Sequence, residues 1–226
     1  MSGLATATRS PEAALADLYE RIADCPNCPL ARTRTQTVPG VGSPTAEVMF
    51  IGEAPGQRED EQGRAFVGPA GRFLDELIGV AGWTRDEVYI ANIVKCRPPG
   101  NRDPEPEEIA ACRPYLDEQF AIVQPRLIVT LGRFSLQRWF PDAAISRIHG
   151  TPRHLEDGRI VVPMYHPAAA LHNGSLREVI IEDFRALPVL LGEAHAAETT
   201  RREAEASGTP IDDGPARPLP GQERLI

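Results

Sequence analysis

The stretch that decides the fold, residues 48–71, reads VMFIGEAPGQREDEQGRAFVGPAG. It opens with an apolar run, residues 48–51, that is typical of a buried strand, and residues 73–78 after it have the spacing of a helix. Open α/β sheets bind ligands at the carboxyl ends of their strands, where glycines let the backbone approach a ligand closely. A simple strand-to-helix connection needs only a few turn residues. This long, acidic and glycine-containing loop therefore predicts a functional site.

The composition is that of a globular protein, with 226 residues of which 42% are hydrophobic. No apolar run of about 18 residues and no N-terminal signal peptide occur, which predicts a cytoplasmic protein without a membrane span. The formal net charge is −8, and the seven acids and four arginines from residue 191 onward account for −3 of it. The body is still acidic, so any nucleic acid must bind through a local patch with few phosphate contacts.

Strand-like and helix-like segments alternate along most of the chain. Apolar strand segments occur at residues 47–51, 88–94, 127–132 and 161–165, and helices are predicted near 11–24, 70–81, 106–123, 133–140 and 176–190. Residues 145–162 have the pattern of a hairpin that turns at Asp157 and Gly158. This alternation predicts an α/β fold, a three-layer α/β/α arrangement in which helices cover both faces of a parallel sheet.

Composition divides the chain into three parts. Residues 1–20 are an N-terminal extension that includes the start of the first helix, and residues 21–190 form the folded domain. Residues 191–226 are an acidic C-terminal tail, rich in Ala, Glu, Thr, Gly and Pro. A segment of this composition has too few apolar side chains to form a core, so we expect it to be disordered.

The four cysteines, Cys25, Cys28, Cys96 and Cys112, have the pattern of a metal site. The first two have the two-residue spacing that lets a pair of thiolates hold one metal. Two disulfides are an alternative, but cytosolic thiols stay reduced. A redox CxxC motif is another, but a proline-broken loop after a helix is not its usual setting. We therefore predict a four-thiolate site, for which spacing alone does not separate zinc from an iron–sulfur cluster.

Polar side chains follow three of the predicted strands. Glu53 follows the first strand, Asn92 lies at the end of the second, and His166 follows the fourth. Because the carboxyl ends of parallel strands meet at one edge of a sheet, we expect these groups to share a crevice. An Asn side chain has both a donor and an acceptor, as reading a planar base requires, and Phe66 could stack on such a base. His166 could donate to an oxygen that gains negative charge.

Three motifs together resemble the family 4 (iron–sulfur) uracil-DNA glycosylases: GEAPG…ED…GRAFVGPAG, YIANIVKCRPPGNRDPEPEEIAAC and MYHPAAAL. The resemblance covers residues 21–190 and includes all four cysteines. It implies a central four-stranded parallel sheet flanked by helices, and a [4Fe–4S] cluster rather than zinc on the cysteines. It also implies that the protein, which we expect to be a monomer, removes uracil from single- or double-stranded DNA and leaves an abasic site.

The resemblance also implies roles for individual residues. The uracil pocket would be formed by Gly52, Glu53, Ala54, Glu59, Phe66, Asn92 and His166. Phe66 would stack on uracil, Asn92 would read its Watson–Crick edge, and His166, the catalytic partner of Glu53, would contact its O2 side. Leu171, with His172, is the expected wedge in the DNA minor groove, although the family often has an arginine where this chain has His172.

Other function classes explain only part of the sequence. A non-catalytic, metal-clipped nucleic-acid-binding module would account for the cysteines and for arginines in the loops, but not for the acid, the amide and the imidazole at three strand ends. A nucleotide-dependent enzyme would use residues 63–71 to hold phosphate, but no GKS, GKT or GxGxxG sequence occurs. Residues 222–226, QERLI, resemble the short peptides that dock on the bacterial sliding clamp, with a frayed tail as the alternative.

Overall fold

A computed structural model describes residues 9–207 of the chain. Its elements, in chain order, are α1 Pro11–Ala23, β1 Val41–Gly42, β2 Val48–Gly52, α2 Gln57–Gln62, α3 Pro69–Val80, β3 Tyr89–Asn92, α4 Pro106–Val123, β4 Leu127–Leu131, α5 Arg133–Leu136, α6 Ile145–Ile148, β5 Arg153–His154, β6 Ile160–Met164, α7 Pro167–His172, α8 Leu176–Arg185 and α9 Leu187–Ser207. No helix in this part of the chain is long and apolar enough to cross a bilayer. The first eight residues of the predicted extension, and the clamp-like peptide at residues 222–226, lie outside the described residues.

Six strands form one sheet in the order β1-β3-β2-β4-β6-β5. The four inner strands are parallel, whereas β1 and β5 are two-residue strands that pair antiparallel with β3 and β6. The sheet thus has six strands rather than the expected four, because a two-residue strand is too short to show a hydrophobic period. The register of β2 and β3 pairs Gly52 with Asn92, which places two predicted site residues side by side.

The strands separate two hydrophobic cores. Phe50 and Val129 pack on one face with side chains from α3, α8 and α9, while Met49 and Ile128 pack on the other with side chains from α1 and α4. Successive residues of a strand point to opposite faces, so neighbours in β2 and β4 serve different cores. Burying one such side chain stabilises the fold by about 1.5–3 kcal/mol. The predicted three-layer α/β fold is therefore present, and both helix layers hold the sheet whose edge carries the site.

The helix that carries Cys112, α4, begins with a capping box. Glu105 is its N-cap, and the Glu108 side chain accepts the Glu105 backbone N–H at 2.8 Å. Arg102 adds two hydrogen bonds to the same Glu108 carboxylate, at 2.7 and 2.9 Å. Since Arg102 belongs to the loop after β3, these bonds join that loop to the start of α4. They hold Cys112 in a fixed relation to Cys96.

Some helices of the structure differ from those that the sequence predicts. Helices α2 and α7 have six residues each, which is too short for a periodic signal. The predicted helix at 176–190 is divided between α8 and α9, and the predicted hairpin contains α6 before β5.

The C-terminal tail also differs from the expectation of disorder. Residues 191–207 continue α9 as a helix. An ion pair joins Arg126 to Glu198, and His195 Nε2 lies within hydrogen-bonding distance of Glu47 Oε1, at 2.8 Å. Glu47 directly precedes β2 and Arg126 directly precedes β4. This polar segment therefore makes long-range contacts with the ends of two strands of the sheet. Composition describes the solvation of a segment, and it contains no information about such distant partners.

Candidate active site

Gly52 ends β2 at the point where the side chains of Asn92 and Phe66 meet. A Cβ atom at position 52 would lie 2.4 Å from Asn92 Oδ1 and 2.6 Å from Phe66 Cζ. Real Cβ atoms do not approach other atoms so closely, so any side chain here would displace the amide or the ring. The glycine at the end of the strand therefore makes room for two other groups to converge.

Asn92 is buried, with 2% of its surface exposed, and its Oδ1 atom has no hydrogen-bond partner among residues 9–207. A buried polar atom without a partner costs about 1–3 kcal/mol, and such atoms are rare in folded proteins. The side-chain amide is held at a strand end, beside a glycine and an aromatic ring. The Asn92 oxygen is therefore free to accept a hydrogen bond from a bound molecule.

Phe66 adopts an uncommon backbone conformation, with φ at 52°. A bulky residue in the left-handed region costs about 1–3 kcal/mol, and such strain is concentrated at functional sites. Gly71 permits the turn, because a Cβ atom there would lie 1.9 Å from the Phe66 carbonyl oxygen. The buried Phe66 ring stacks against His166, with 5.6 Å between ring centroids and an angle of 27°. The loop thus presents a fixed aromatic ring beside Asn92 and His166.

The carboxylate of Glu59 holds the loop that carries Phe66. Its Oε1 atom accepts the backbone N–H groups of Val67, at 2.9 Å, and Gly68, at 2.8 Å. The next residue, Asp60, similarly accepts the N–H of Thr35 at 2.9 Å. Sequence reasoning placed Glu59 in the wall of the pocket. That role stays a prediction, and the observed contacts show in addition that Glu59 holds the backbone next to Phe66.

His166 is the N-cap of α7, and its orientation follows from that position. Its Nδ1 atom accepts the backbone N–H of Ala168 at 3.1 Å. Burial lowers the pKa of His166 to about 4, and the negative charge of Glu59 opposes that shift. At neutral pH the ring is therefore uncharged. Because Nδ1 is an acceptor, the proton of the neutral ring resides on Nε2, which is available to donate.

Glu53 follows β2 and is half-buried. Burial raises the pKa of its carboxyl group, the negative charge of Asp103 raises it further, and the positive charge of Arg133 lowers it. Asp103 and Arg133 form an ion pair with each other. Sequence reasoning missed both residues. Arg133 could have been found, since it follows β4 and so lies at the same edge of the sheet, but Asp103 comes from a loop whose path no pattern predicts.

The remaining predicted residues lie at the margins of this group. Ala54 is partly buried and packs against the core on the α4 side of the sheet. Leu171 is 50% exposed near the end of α7, and His172 beside it is also exposed. Both follow His166 on the same short helix. The expected wedge residues are therefore on the surface, and a short helix joins them to the imidazole.

The four cysteines line a single cavity between α1, the loop after β3, and α4. None of the four forms a disulfide. The Lys95 backbone N–H donates to Cys112 Sγ at 3.2 Å, and the Arg34 guanidinium donates to Cys96 Sγ at 3.3 Å. Burial raises the pKa of Cys112 to about 11 and also raises that of Cys96. Thiolates in such a place need a positive counter-charge, and a metal supplies one.

The cysteine cavity is compatible with two kinds of metal site. In residues 9–207, no three His, Cys, Asp or Glu side chains are grouped so as to hold one metal ion. The four cysteines line one cavity, and four thiolates are a donor set that zinc accepts. A cluster places each thiolate on a different iron, so this donor set fits a multi-iron group.

The chain is similar to known proteins over most of its length. Residues 39–185 match the uracil DNA glycosylase superfamily. Similar proteins named type-4 uracil-DNA glycosylase include one from Sulfurisphaera tokodaii, 48% identical over 76% of this chain and 82% of that protein. Others are from Archaeoglobus fulgidus, 44% identical over 79% and 94%, and from Saccharolobus solfataricus, 46% identical over 74% and 82%. This chain therefore belongs to the uracil-DNA glycosylase superfamily and, within it, to the type-4 enzymes.

Proposed function

We propose that this protein is a DNA-repair enzyme that hydrolyses the N-glycosidic bond of uracil in DNA and leaves an abasic site. One observation carries the proposal: a buried amide with an unpaired oxygen, an aromatic ring and a neutral imidazole converge at one edge of the sheet, at Asn92, Phe66 and His166. A binding module without catalysis would have no need for a neutral imidazole next to a base pocket. The family to which the chain belongs supports the same activity.

Recognition of uracil is assigned to Asn92 and Phe66. The Asn92 amide can accept from N3–H of uracil with the unpaired Oδ1 and donate to O4 with its nitrogen. Cytosine has an amino group in place of O4, which would face the amide N–H and leave buried donors unpaired. Thymine adds a methyl group at C5, which would clash with any side chain that packs against that edge of the base. The Asn92 amide would therefore both bind uracil and reject cytosine.

Cleavage of the bond between C1′ and N1 leaves its electron pair on uracil, while the sugar becomes cationic. The Nε2–H of neutral His166 would donate to O2, where negative charge develops, and losing such a donor costs about 3–4 kcal/mol. Glu53 would orient the attacking water or offset the charge on the sugar. The oxygen of the water adds to C1′, and the proton that it releases balances the one that uracil takes up.

Uracil in a duplex must leave the helix before it can enter a closed pocket, unless the substrate is single-stranded. Unstacking costs a few kcal/mol, and less at a U·G mismatch. Leu171, half exposed near the end of α7, is the proposed side chain that fills the vacated space, with His172 beside it. The acidic net charge, −8, supports few phosphate contacts and a shallow dependence of binding on salt.

We assign a [4Fe–4S] cluster to the cavity lined by Cys25, Cys28, Cys96 and Cys112, with zinc as the less favoured alternative. The cysteines would hold it, and it would join α1, the loop after β3, and α4 as a structural group with no part in bond cleavage. The N–H donors from Lys95 and Arg34 to sulfur atoms support an anionic group at this place. We expect the anaerobically purified protein to be brown and to contain iron. A protein that holds only zinc would contradict the assignment.

The activity is tested by release of uracil from labelled oligonucleotides. Full-length protein with its metal content measured is incubated with single-stranded DNA, and with duplexes that contain U·A or U·G. Matched oligonucleotides with cytosine or thymine at the same position are the controls. We expect abasic sites from the uracil substrates alone. Binding without release would instead support a non-catalytic nucleic-acid-binding module, and intact uracil DNA in the presence of metal-loaded protein would refute the proposal.

Interactions with other proteins are a separate question. Residues 222–226 either dock on the sliding clamp or form a frayed end, and the frayed end is the simpler interpretation. A pull-down with clamp, using chains with and without these five residues, separates the two. For the enzyme itself we propose a monomer, which sedimentation measurements can test.

A further inference from the structure

Lys95 is the only lysine in the chain, and it is buried, with 1% of its surface exposed. It lies three residues after Asn92 and immediately before Cys96. An ammonium group is strongly hydrated, and removing it from water costs several kcal/mol unless hydrogen bonds replace the water. A cation in this position therefore needs a structural partner, and its contacts identify that partner.

The ammonium of Lys95 makes two short hydrogen bonds. Its Nζ donates to the Asn92 backbone carbonyl at 2.7 Å and to Gln119 Oε1 at 2.6 Å. Gln119 is fully buried on α4, and its Nε2 donates to the Pro39 carbonyl at 2.7 Å and to the Tyr89 hydroxyl at 2.8 Å. Because Gln119 is held by these other bonds, it fixes the position of the ammonium. The Asn92 carbonyl is fixed in turn.

The backbone of Lys95 is held as well. Its N–H donates to Cys112 Sγ at 3.2 Å, and its carbonyl accepts the N–H of Val38 at 2.7 Å. Lys95 thus lines the cysteine cavity and also contacts Asn92. A change in the position of Cys112 or Cys96 would move Lys95, and with it the bond to Asn92.

The Asn92 carbonyl matters because β3 ends there. Asn92 pairs with Gly52 of β2, and the peptide that follows Asn92 is held at both of its polar ends. Its N–H, from Ile93, donates to the Gly52 carbonyl at 3.0 Å, and its carbonyl accepts from Lys95 Nζ. Together the two flanking peptides set the direction of the side chain. The space for that side chain is narrow, since a Cβ atom at Gly52 would already lie 2.4 Å from Oδ1. A small rotation of the peptide would move the amide away from a base.

We propose that Lys95 is a positioning residue for uracil recognition, which holds Asn92 in its reading orientation and couples it to the cysteine cavity. The inference rests on the proposed uracil-releasing function. If Lys95 has this role, the metal group would affect uracil recognition as well as stability, because Lys95 contacts both Cys112 Sγ and the Asn92 carbonyl. A residue with only a structural role would hold the loop without acting through Asn92.

A double-mutant cycle separates these two roles, since it isolates the coupling between neighbouring residues. Lys95→Met keeps the apolar length and removes the donors, and it is measured alone and combined with Asn92→Ala. Single-turnover release from single-stranded uracil DNA and binding to abasic DNA are the readouts. We expect Lys95→Met to slow release by about tenfold to a hundredfold with binding almost unchanged, and to have little further effect when Asn92 is Ala. Equal losses in both backgrounds, or release at the wild-type rate by Lys95→Met, would overturn the inference.

Three controls keep the result interpretable. Tyr19→Phe removes the 2.7 Å hydrogen bond to Tyr89 at the far end of the same network, and we expect it to leave the release rate unchanged. Iron content and melting temperature are measured for every variant. If Lys95→Met does not fold, the cycle is repeated with Lys95→Gln, and wild-type protein with ¹⁵N-labelled lysine side chains gives an independent measurement.

The labelled protein gives the signal of Lys95 alone, because the chain has no second lysine. We expect an ammonium that exchanges slowly with water and whose shift changes when abasic DNA and uracil bind. Fast exchange, as in free lysine, would overturn the proposed contact. If wild-type protein releases no uracil at all, the proposed function fails, whereas a failed cycle in an active enzyme refutes only the role of Lys95.

Discussion

Gly52 lies directly beside Asn92 across the β2–β3 pair, and the space above its Cα is occupied by the Asn92 amide and the Phe66 ring. Asn92 and Phe66, which would bind the base, can therefore occupy their positions only because residue 52 has no side chain. This relationship makes the glycine as important to the pocket as the groups that contact the ligand. It also leads to a prediction in which one methyl group is the only change.

Gly52→Ala should abolish most of the activity without unfolding the protein. The added methyl group would lie 2.4 Å from Asn92 Oδ1, so the amide or the ring must move, and a displacement of about 1 Å can reduce the rate about a hundredfold. Gly79→Ala on α3 is the matched control, since its added Cβ has no atom of residues 9–207 within 4 Å apart from its chain neighbours and the nearby backbone of its own helix. We expect that control to be fully active and more stable by about 0.5–1 kcal/mol. An active Gly52→Ala enzyme would contradict the assigned pocket.

Asn92→Ala should separate activity from stability. The amide oxygen has no partner in the part of the chain that the structure describes, so removing it relieves a buried unpaired atom and offsets part of the cost of the smaller side chain. We expect a melting temperature within about 3 °C of wild type and a loss of uracil release of about a hundredfold or more. Thermal melts and single-turnover rates measure the two. A large loss of stability would mean that the oxygen has a structural partner.

His166 should make stability depend on pH. Its folded pKa is about 4, below the value of about 6.5 for an unfolded histidine. Between these values the unfolded chain binds a proton that the folded chain does not, so stability decreases as pH falls from about 6.5 towards 4. We expect this dependence to weaken in His166→Asn, while the exposed His154→Asn keeps the wild-type dependence. Thermal melts at several pH values measure this dependence. If the melting temperature changes with pH equally in wild type and both variants, the role of His166 is contradicted.

The ion pair of Asp103 and Arg133 should control the protonation of Glu53. Asp103 raises the pKa of Glu53 in addition to burial, and Arg133 lowers it. If the Glu53 carboxylate is needed for release, Asp103→Asn should move the acidic limb of the rate profile to lower pH. Arg133→Gln should move it to higher pH. Full pH–rate profiles measure both shifts, and shifts in the same direction would exclude this electrostatic role.

Much of the site could be predicted because strand ends in a parallel sheet have only one place to meet. Glu53, Asn92 and His166 each follow an apolar run, and the register of β2 with β3 places Gly52 beside Asn92 as that rule requires. The alternation of strands and helices was sufficient for the three-layer fold. The family motifs added the identities of the pocket residues, and those roles stay predictions until variants are measured.

What escaped prediction depends on contacts between distant parts of the chain. The charge of Asp103 acts on Glu53 from a loop, and α9 contacts the distant residues Arg126 and Glu47. Neither leaves a local pattern. The edge strands β1 and β5 could not be predicted either, since a strand of two residues is too short to show a hydrophobic period.

The sequence by itself determined the types of group in the site, because chemistry is a property of each side chain. It also determined that these groups lie at one edge of the sheet, because strands that alternate with helices run parallel and end on the same side. Only the tertiary structure decided what each group does there. Glu59 holds the backbone of Val67 and Gly68, His166 accepts the N–H of Ala168, and Lys95 holds the Asn92 carbonyl. These roles are set by distances and burial, which exist only after the chain has folded.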